Sequence, residues 1–395
     1  MRQLPVGISK RNDAVLSNPM SLTIPCADYV AGRCRSCGWL ELPYAEQLVR
    51  KDSHLKTLLA ERVSPVTDWL PPLASAVSGF RNRAKMVVSG SMDAPLLGIV
   101  NGAGEAVDLQ QCPLYPEPFR SLFAALQRFI RTAALEPYDI GQRRGELKYL
   151  LINRSQYDGG VMLRFVLRSK SRLDAIRKYL PDLLAERPEL KVVSVNLQPV
   201  HMAVLEGEQE IVLTAQQALR EQLNQVPLYL RPKSFFQTNP DVAAALYRTA
   251  AEWTADLAIR SLWDLFCGVG GFGLHCVRAG VSLVGIEREA EAIACAEQSA
   301  REMGLADVRF AALDASGFVA GETQAPDLVL VNPPRRGIGA ELCQWLQQTA
   351  PQYLLYSSCN AESLARDLAL LPDYQLRRVQ LFDLFPHTDH YETLA

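Results

Sequence analysis

The chain has 395 residues, 48% of them hydrophobic and 21% charged, enough for two or three domains with a sizeable core, which excludes a disordered or fibrous protein. Its formal charge of -2 argues against a polyanion-binding protein only as a total, since residues 1 to 180 carry 25 Lys and Arg against 16 Asp and Glu, and residues 181 to 395 carry 16 against 27. No apolar run approaches the roughly 18 residues of a membrane span, and the N-terminus lacks the apolar core of a secretory signal. A cytoplasmic protein is expected, in which the nine cysteines are reduced and act as core residues, metal ligands or reactive thiols.

Residues 1 to 19 show no apolar periodicity and read as a loose tail, a start-site extension before Met20. Residues 41 to 63 repeat apolar side chains at Leu48, Leu55, Leu58 and Leu59, a helix pattern. From Phe80 to Leu213, strand-like runs at 84 to 88, 147 to 153, 160 to 168, 192 to 198 and 211 to 214 interleave with helical runs at 119 to 134 and 173 to 184. That is a mixed α/β domain. Beyond about 240, short apolar runs at 261 to 266, 283 to 286, 308 to 313, 328 to 331 and 353 to 356 alternate with helices at 273 to 279, 290 to 303, 341 to 348 and 361 to 371. Strands separated by helices of this length need crossover connections, hence a mostly parallel, doubly wound sheet of the Rossmann-like kind.

Gly268, Gly270 and Gly273 form a G-x-G-x-x-G loop directly after the first of these strands. Glycines let the backbone turn tightly and approach a ligand, and Glu287 at the end of the next strand can accept ribose hydroxyls. A dinucleotide and S-adenosylmethionine fit equally at this point. Asp314 ends the third strand, within reach of an adenine amino group, and the fourth runs into Asn332-Pro-Pro-Arg-Arg-Gly337. Asn-Pro is turn chemistry in any protein. An Asn-Pro-Pro turn at this strand end, in register behind the glycine loop, Glu287 and Asp314, favours a methyl donor and a flat nitrogenous substrate over a nicotinamide.

Cys359 ends the fifth strand at the same rim of the sheet, where open α/β sheets bind their ligands. Cys267, Cys276, Cys295 and Cys343 read instead as small core residues. A thiol at such a site has a definite use: carbon 5 of uracil attacks a sulfonium methyl only after a thiolate has added at carbon 6. A base must then remove the hydrogen at carbon 5 so that the cysteine can leave. The segment Phe385 to Glu392 offers His387, Asp389, His390 and Glu392, although a His-rich turn is more often a solvated hairpin. At the front, Cys26-x7-Cys34-x2-Cys37 and Cys112-Pro113 make a four-thiolate set for which an iron-sulfur cluster and a tetrahedral zinc both remain open. The triplet of radical S-adenosylmethionine enzymes is absent. Arg33 and Arg35 flank the cluster as phosphate contacts or plain surface charge.

These residues, with Lys233-Ser-Phe-Phe-Gln-Thr-Asn239, Leu265-Phe-Cys-Gly-Val-Gly-Gly271, Val331-Asn-Pro-Pro-Arg-Arg-Gly337, Tyr356-Ser-Ser-Cys-Asn360 and His390-Tyr-Glu392, give the chain its resemblance to the RNA uracil-5-methyltransferase family, from Cys26 to Glu392. The resemblance implies a class I S-adenosylmethionine methyltransferase acting as a monomer, with Cys359 as nucleophile and Glu392 as base. Gln237, Phe266, Glu287 and Asn332 would line the donor site, joined from the loop logic by Gly268 and Asp314, and Phe235 would stack on a flipped uracil. Much of the family has Asp where this chain has Asn332, which makes that contact neutral. By the same resemblance Cys26, Cys34, Cys37 and Cys112 would carry a 4Fe-4S cluster, as in members acting on 23S ribosomal RNA. Only 25 residues precede Cys26, too few for the RNA-binding barrel of one ribosomal branch, so the branch acting on uracil 747 of 23S ribosomal RNA fits best. The organisation expected is a tail (1–19), an iron-sulfur and RNA-binding α/β domain (20–225) and a catalytic domain (226–395), the RNA meeting the cation-rich front. The last residue, Ala395, follows the proposed base so closely that a clipped final strand or a shortened terminus is expected. The competing readings are a different ribosomal or transfer RNA uridine, and an iron-sulfur RNA-binding protein without catalysis; the presence of both Cys359 and Glu392 opposes the second of these.

Overall fold

A computed structural model describes residues 22–201, 204–322 and 324–395; the tail assigned to 1–19 lies outside them. The front portion is built on a seven-stranded sheet in the order Ala106–Asp108, Pro95–Val100, Arg83–Gly90, Leu147–Arg154, Val161–Leu167, Leu190–Leu197, Gln209–Val212. Its strands are antiparallel except for the pair Val161–Leu167 and Leu190–Leu197. That pair is joined by the Leu173–Glu186 helix, the crossover that a parallel pairing needs. The Pro118–Thr132 helix places Phe119, Leu122, Phe123, Leu126, Phe129 and Ile130 on one stripe, and they share a core with Leu150, Leu163 and Phe165 of the sheet. Pro95–Val100 and Ala106–Asp108 are not among the runs expected from the sequence: one opens on a proline and the other is three residues long.

The hairpin Leu219–Leu223 and Val226–Leu230 leads toward the rear sheet, its two-residue turn, Asn224 and Gln225, having positive φ at both positions (49° and 70°). This backbone matches the strand twist. The Pro240–Ala255 helix then starts with Asn239 as cap, its side chain accepting from Val242 N, and with proline in its first turn.

The rear sheet has eight strands, ordered Asp68–Trp69, Arg378–Phe382, Glu392–Leu394, Tyr353–Ser358, Leu328–Val331, Ser261–Leu265, Ser282–Glu287, Val308–Ala312. The five anticipated strands run parallel, because a helix separates each from the next. Ser261–Leu265 pairs with Ser282–Glu287 on one side and Leu328–Val331 on the other. The strand order reverses there and opens a crevice at the carboxyl ends. Three further strands, Asp68–Trp69, Arg378–Phe382 and Glu392–Leu394, are not among the expected runs, and Glu392–Leu394 inserts antiparallel between Tyr353–Ser358 and Arg378–Phe382.

The segment around 44–73 also belongs, by its packing, to the rear sheet. Asp68–Trp69 pairs with Arg378–Phe382, and Leu55 and Leu59 of the Tyr44–Leu59 helix share a core with Leu342, Leu364 and Val379. The front unit drawn from the sequence as 20–225 is therefore interrupted in space. Among the described residues, no helix is long and apolar enough to cross a membrane.

Candidate active site

The donor half of the site is a turn forced at the end of Ser261–Leu265. Phe266, Gly268 and Gly270 have φ of 68°, 54° and 85°, the left-handed region that costs a glycine little and a phenylalanine more. Asp264 anchors this turn from beneath. Its Oδ2 accepts from Gly273 N at 2.8 Å, while its other oxygen meets no donor among the described residues, and burial pushes its carboxyl up to about 7. A Cβ at Gly273 would lie 2.9 Å from that Oδ2, so the third glycine is required by close approach. Glu287 accepts from Gly268 N (3.2 Å), Arg288 N (2.7 Å) and Glu289 N (3.1 Å), which fixes its carboxylate across the turn. Asp314 caps the Ala315–Ala320 helix through Ser316 N and Gly317 N, and Asn332 N donates to Leu265 O (3.4 Å) at the end of the fourth strand.

At the opposite side stand Cys359, one residue beyond Tyr353–Ser358, and Glu392, the first residue of the inserted strand. Glu392 is 2% exposed and accepts a 2.6 Å hydrogen bond from Ser357 Oγ. Burial, only partly offset by that bond, raises its carboxyl to about 7. Burial likewise raises the Cys359 thiol; the negative charge of Glu392 adds to this, and the Arg335 guanidinium beside the thiol opposes it. Arg335 is in turn held by its backbone oxygen accepting from Asn360 Nδ2 (3.0 Å), and its guanidinium lies 3.1 Å from the His390 ring.

A single cavity of about 640 Å³ joins the two halves. Cys359, Glu392, Gln237, Phe266, Gly268, Glu287, Asp314, Asn332 and Phe235 all line it, so every residue expected at the donor, substrate and catalytic positions is brought together. Phe235, 64% exposed, is a large apolar face left open to solvent. Arg335 was not singled out from the sequence, although it stands inside the quoted Asn-Pro-Pro-Arg motif; only contact with Cys359 reveals it. Of the other groups offered by the His-rich segment, His390 lines the cavity, whereas His387 is fully buried and bonded to Gln47 and Val77.

Cys26, Cys34, Cys37 and Cys112 line a second cavity, of about 290 Å³, with Ile24, Tyr29, Leu40 and Leu114 among its walls. Burial, more than any neighbouring group, pushes Cys37 up to about 12 and Cys112 up to about 11. Among the described residues, no three His, Cys, Asp or Glu side chains are disposed as ligands of one metal ion. The four thiols share mostly apolar walls with Asp28, Ser36, Arg81 and Lys85. Arg33 pairs with Asp28 at 2.6 Å and Arg35 lies over the Tyr29 ring, so both flanking arginines brace the loop itself. Cys267, Cys276, Cys295 and Cys343 are buried, as their sequence positions suggested.

The family model described as tRNA (Uracil-5-)-methyltransferase matches residues 321–394. A 23S rRNA (uracil(747)-C(5))-methyltransferase of Yersinia enterocolitica is 60% identical over 370 residues, 94% of this chain and 98% of that protein. Its counterpart from Serratia proteamaculans is 61% identical over the same shares. Among solved structures, the Pyrococcus abyssi tRNA (uracil-54, C5)-methyltransferase in complex with S-adenosyl-L-homocysteine is similar with a TM-score of 0.76 at 26% identity, covering 91% of this chain and 84% of that one.

The raised carboxyl of Glu392 has a signed consequence for stability. Between about 4.5 and about 7 the folded protein keeps a proton that the unfolded chain has released, so stability falls as pH rises through that window. Glu392→Gln removes the dependence while keeping an oxygen for Ser357. Urea unfolding should show the variant matching the wild type near pH 4.5 and exceeding it by roughly 3 kcal/mol at pH 8; a difference constant across this range would refute the buried, raised carboxyl.

Proposed function

The chain belongs to the RNA uracil-5-methyltransferase family, and from that premise we propose that it transfers a methyl group from S-adenosylmethionine to carbon 5 of uracil 747 in 23S ribosomal RNA, working as a cytoplasmic monomer. What supports this most is that Cys359 and Glu392 face the same cavity as the glycine loop and Glu287. A nucleophile, a base and a donor cradle within one enclosure are what methylation of an unreactive carbon requires.

Gln237, Phe266, Gly268, Glu287, Asp314 and Asn332 hold the donor, Glu287 presenting its fixed carboxylate to the ribose. Phe235 stacks on the uracil once it is flipped from the RNA. Cys359 forms a bond to carbon 6, and the enolate electrons make carbon 5 nucleophilic; carbon 5 then takes the methyl, and the donor sulfur keeps the electrons of the broken bond. Glu392 accepts the proton from carbon 5, the double bond re-forms, and the Cys359 thiolate leaves. A carboxylate with affinity for a proton near neutrality is a stronger base than an exposed one, and the adjacent Arg335 cation favours the thiolate that begins and ends the cycle. Asn332 offers a neutral amide where much of the family has a carboxylate.

Residues 20–225, apart from the stretch packed on the rear sheet, form the iron-sulfur and RNA-binding part, and 226–395 the catalytic part. Cys26, Cys34, Cys37 and Cys112 would hold a 4Fe-4S cluster; four thiols around one mostly apolar space suit either that cluster or a tetrahedral zinc, and the resemblance to members acting on 23S ribosomal RNA favours the cluster. Bound there, it would cross-link the 26–37 loop to the 112 turn.

Three experiments test these assignments. RNA with 5-fluorouridine at the target should give a denaturation-resistant adduct with the wild-type protein and donor, because fluorine does not leave as a cation, and none with Cys359→Ala. An adduct that persists in that variant would refute the nucleophile. Mapping of 5-methyluridine in 23S RNA from cells lacking the protein should show loss at position 747, and retention there with loss elsewhere would reassign the substrate. Anaerobic purification should yield brown protein, with Cys37→Ala colourless; a colourless wild type containing zinc would overturn the cluster.

A further inference from the structure

The Tyr44–Leu59 helix carries a row of polar side chains where a core-facing helix is normally apolar. Tyr44, Gln47, Lys51 and His54 follow one another at helical spacing on one side; Gln47 and Lys51 are fully buried. Each of them bonds to the segment between the strands Arg378–Phe382 and Glu392–Leu394. Lys51 Nζ pairs with Asp383 Oδ1 at 2.7 Å, both side chains wholly inaccessible, and donates to Phe385 O at 3.1 Å. Tyr44 donates to the other oxygen of Asp383 at 2.8 Å. Gln47 Oε1 accepts from His387 N at 2.8 Å, and His54 Nδ1 lies 2.7 Å from the Tyr391 hydroxyl.

Phe385 and His390 on this segment and Glu392 directly after it line the reaction cavity; none of the four helix residues does, although His54 borders a smaller pocket beside Cys359. The segment follows an unusual path, His387 having φ of 66°, and the helix anchors it at four points, Asp383, Phe385, His387 and Tyr391. A buried ion pair adds little or no net stability over an apolar pair of the same shape, but it is directional. Apolar packing would let the segment slide by a fraction of its length; these bonds specify its register.

We propose that the row Tyr44, Gln47, Lys51 and His54 is a positioning device for proton abstraction, fixing residues 383–391 so that the Glu392 carboxyl is aimed at carbon 5 of the bound uracil. The four act through the segment and touch neither donor nor base. The same helix face reaches the cysteine loop, since Gln47 Nε2 donates to Trp39 O (3.0 Å) and Trp39 N donates to His387 O (3.0 Å). The inference rests on the covalent reading of Cys359 and Glu392 given above.

The test separates the two halves of the reaction. In single turnover on target RNA labelled with tritium at carbon 5 of the uridine, methyl transfer and tritium release are followed separately for wild type, Tyr391→Phe and the double variant Lys51→Met/Asp383→Leu, whose apolar pair avoids leaving a lone buried charge. Urea unfolding confirms that each is folded. Expected is near-normal methyl transfer with tritium release slowed by about tenfold to a hundredfold in the double variant and by less in Tyr391→Phe, and a methylated protein–RNA adduct with ordinary uridine on denaturing gels. A purely structural role would lower both steps in parallel or neither, with no adduct, and either result overturns the proposal. Failure of the wild type to form the 5-fluorouridine adduct overturns the covalent reading itself, and this inference with it, a result distinguishable because it precedes any variant.

Discussion

The Ser357 to Glu392 contact is the constraint on which the site depends. It arises because a three-residue strand runs antiparallel into a sheet that is otherwise largely parallel, taking a place between Tyr353–Ser358 and Arg378–Phe382. Pairing on both sides removes the strand from water and takes the Glu392 carboxyl with it. Ser357 accompanies it on the neighbouring strand, and Cys359 lies two residues beyond Ser357, so the thiol and the carboxyl are delivered by adjacent strands of one sheet. Desolvation then does chemical work: it makes the carboxyl more basic and, together with the carboxyl's charge, makes the Cys359 thiol harder to ionise. Arg335 offsets the second effect. The Glu392 carboxylate thereby favours the neutral form of the Cys359 thiol.

The donor half obeys a different constraint, backbone conformation. Glycines at 268 and 270 supply positive φ, and the buried Asp264 ties the turn down through Gly273. Such a loop is set locally. The catalytic half is assembled from strands far apart in sequence, and it is accordingly where a helix from the front of the chain packs and where a buried Lys51–Asp383 pair crosses between them.

Charge divides the molecule in a complementary way. In the front portion Arg164, 2% exposed, lies between Glu206 and Glu210, and Arg168 pairs with Glu146. Of these, only the Arg168–Glu146 pair is neutral within residues 1 to 180; the two glutamates on Arg164 come from beyond residue 180 and offset part of the surplus of positive charge counted there. A positive surplus of this kind is what a phosphate backbone attracts, and under the function proposed above the acidic rear would enclose only one cationic donor and one flipped base.

The sequence by itself determined what local chemistry can determine. Period-two and helical runs specified the alternation of strands and helices and hence the parallel sheet, and the glycine spacing, Glu287, Asp314 and Asn332 marked the strand ends that form its rim. The motif holding Cys359 announced the nucleophile, and the resemblance singled out Glu392 from a segment where spacing could not. Only the tertiary structure decided which groups lose their water. The leucines of the Tyr44–Leu59 helix suggested its buried face, yet Gln47 and Lys51 are enclosed there as fully as Leu55 and Leu59, because their partners lie more than three hundred positions away. Arg335 gained its place beside Cys359 for the same reason, whereas the grouping of Cys112 with Cys26, Cys34 and Cys37 was already legible in the sequence and the four line one cavity. Desolvation and pairing depend on neighbours supplied by remote parts of the chain, and no local pattern records them.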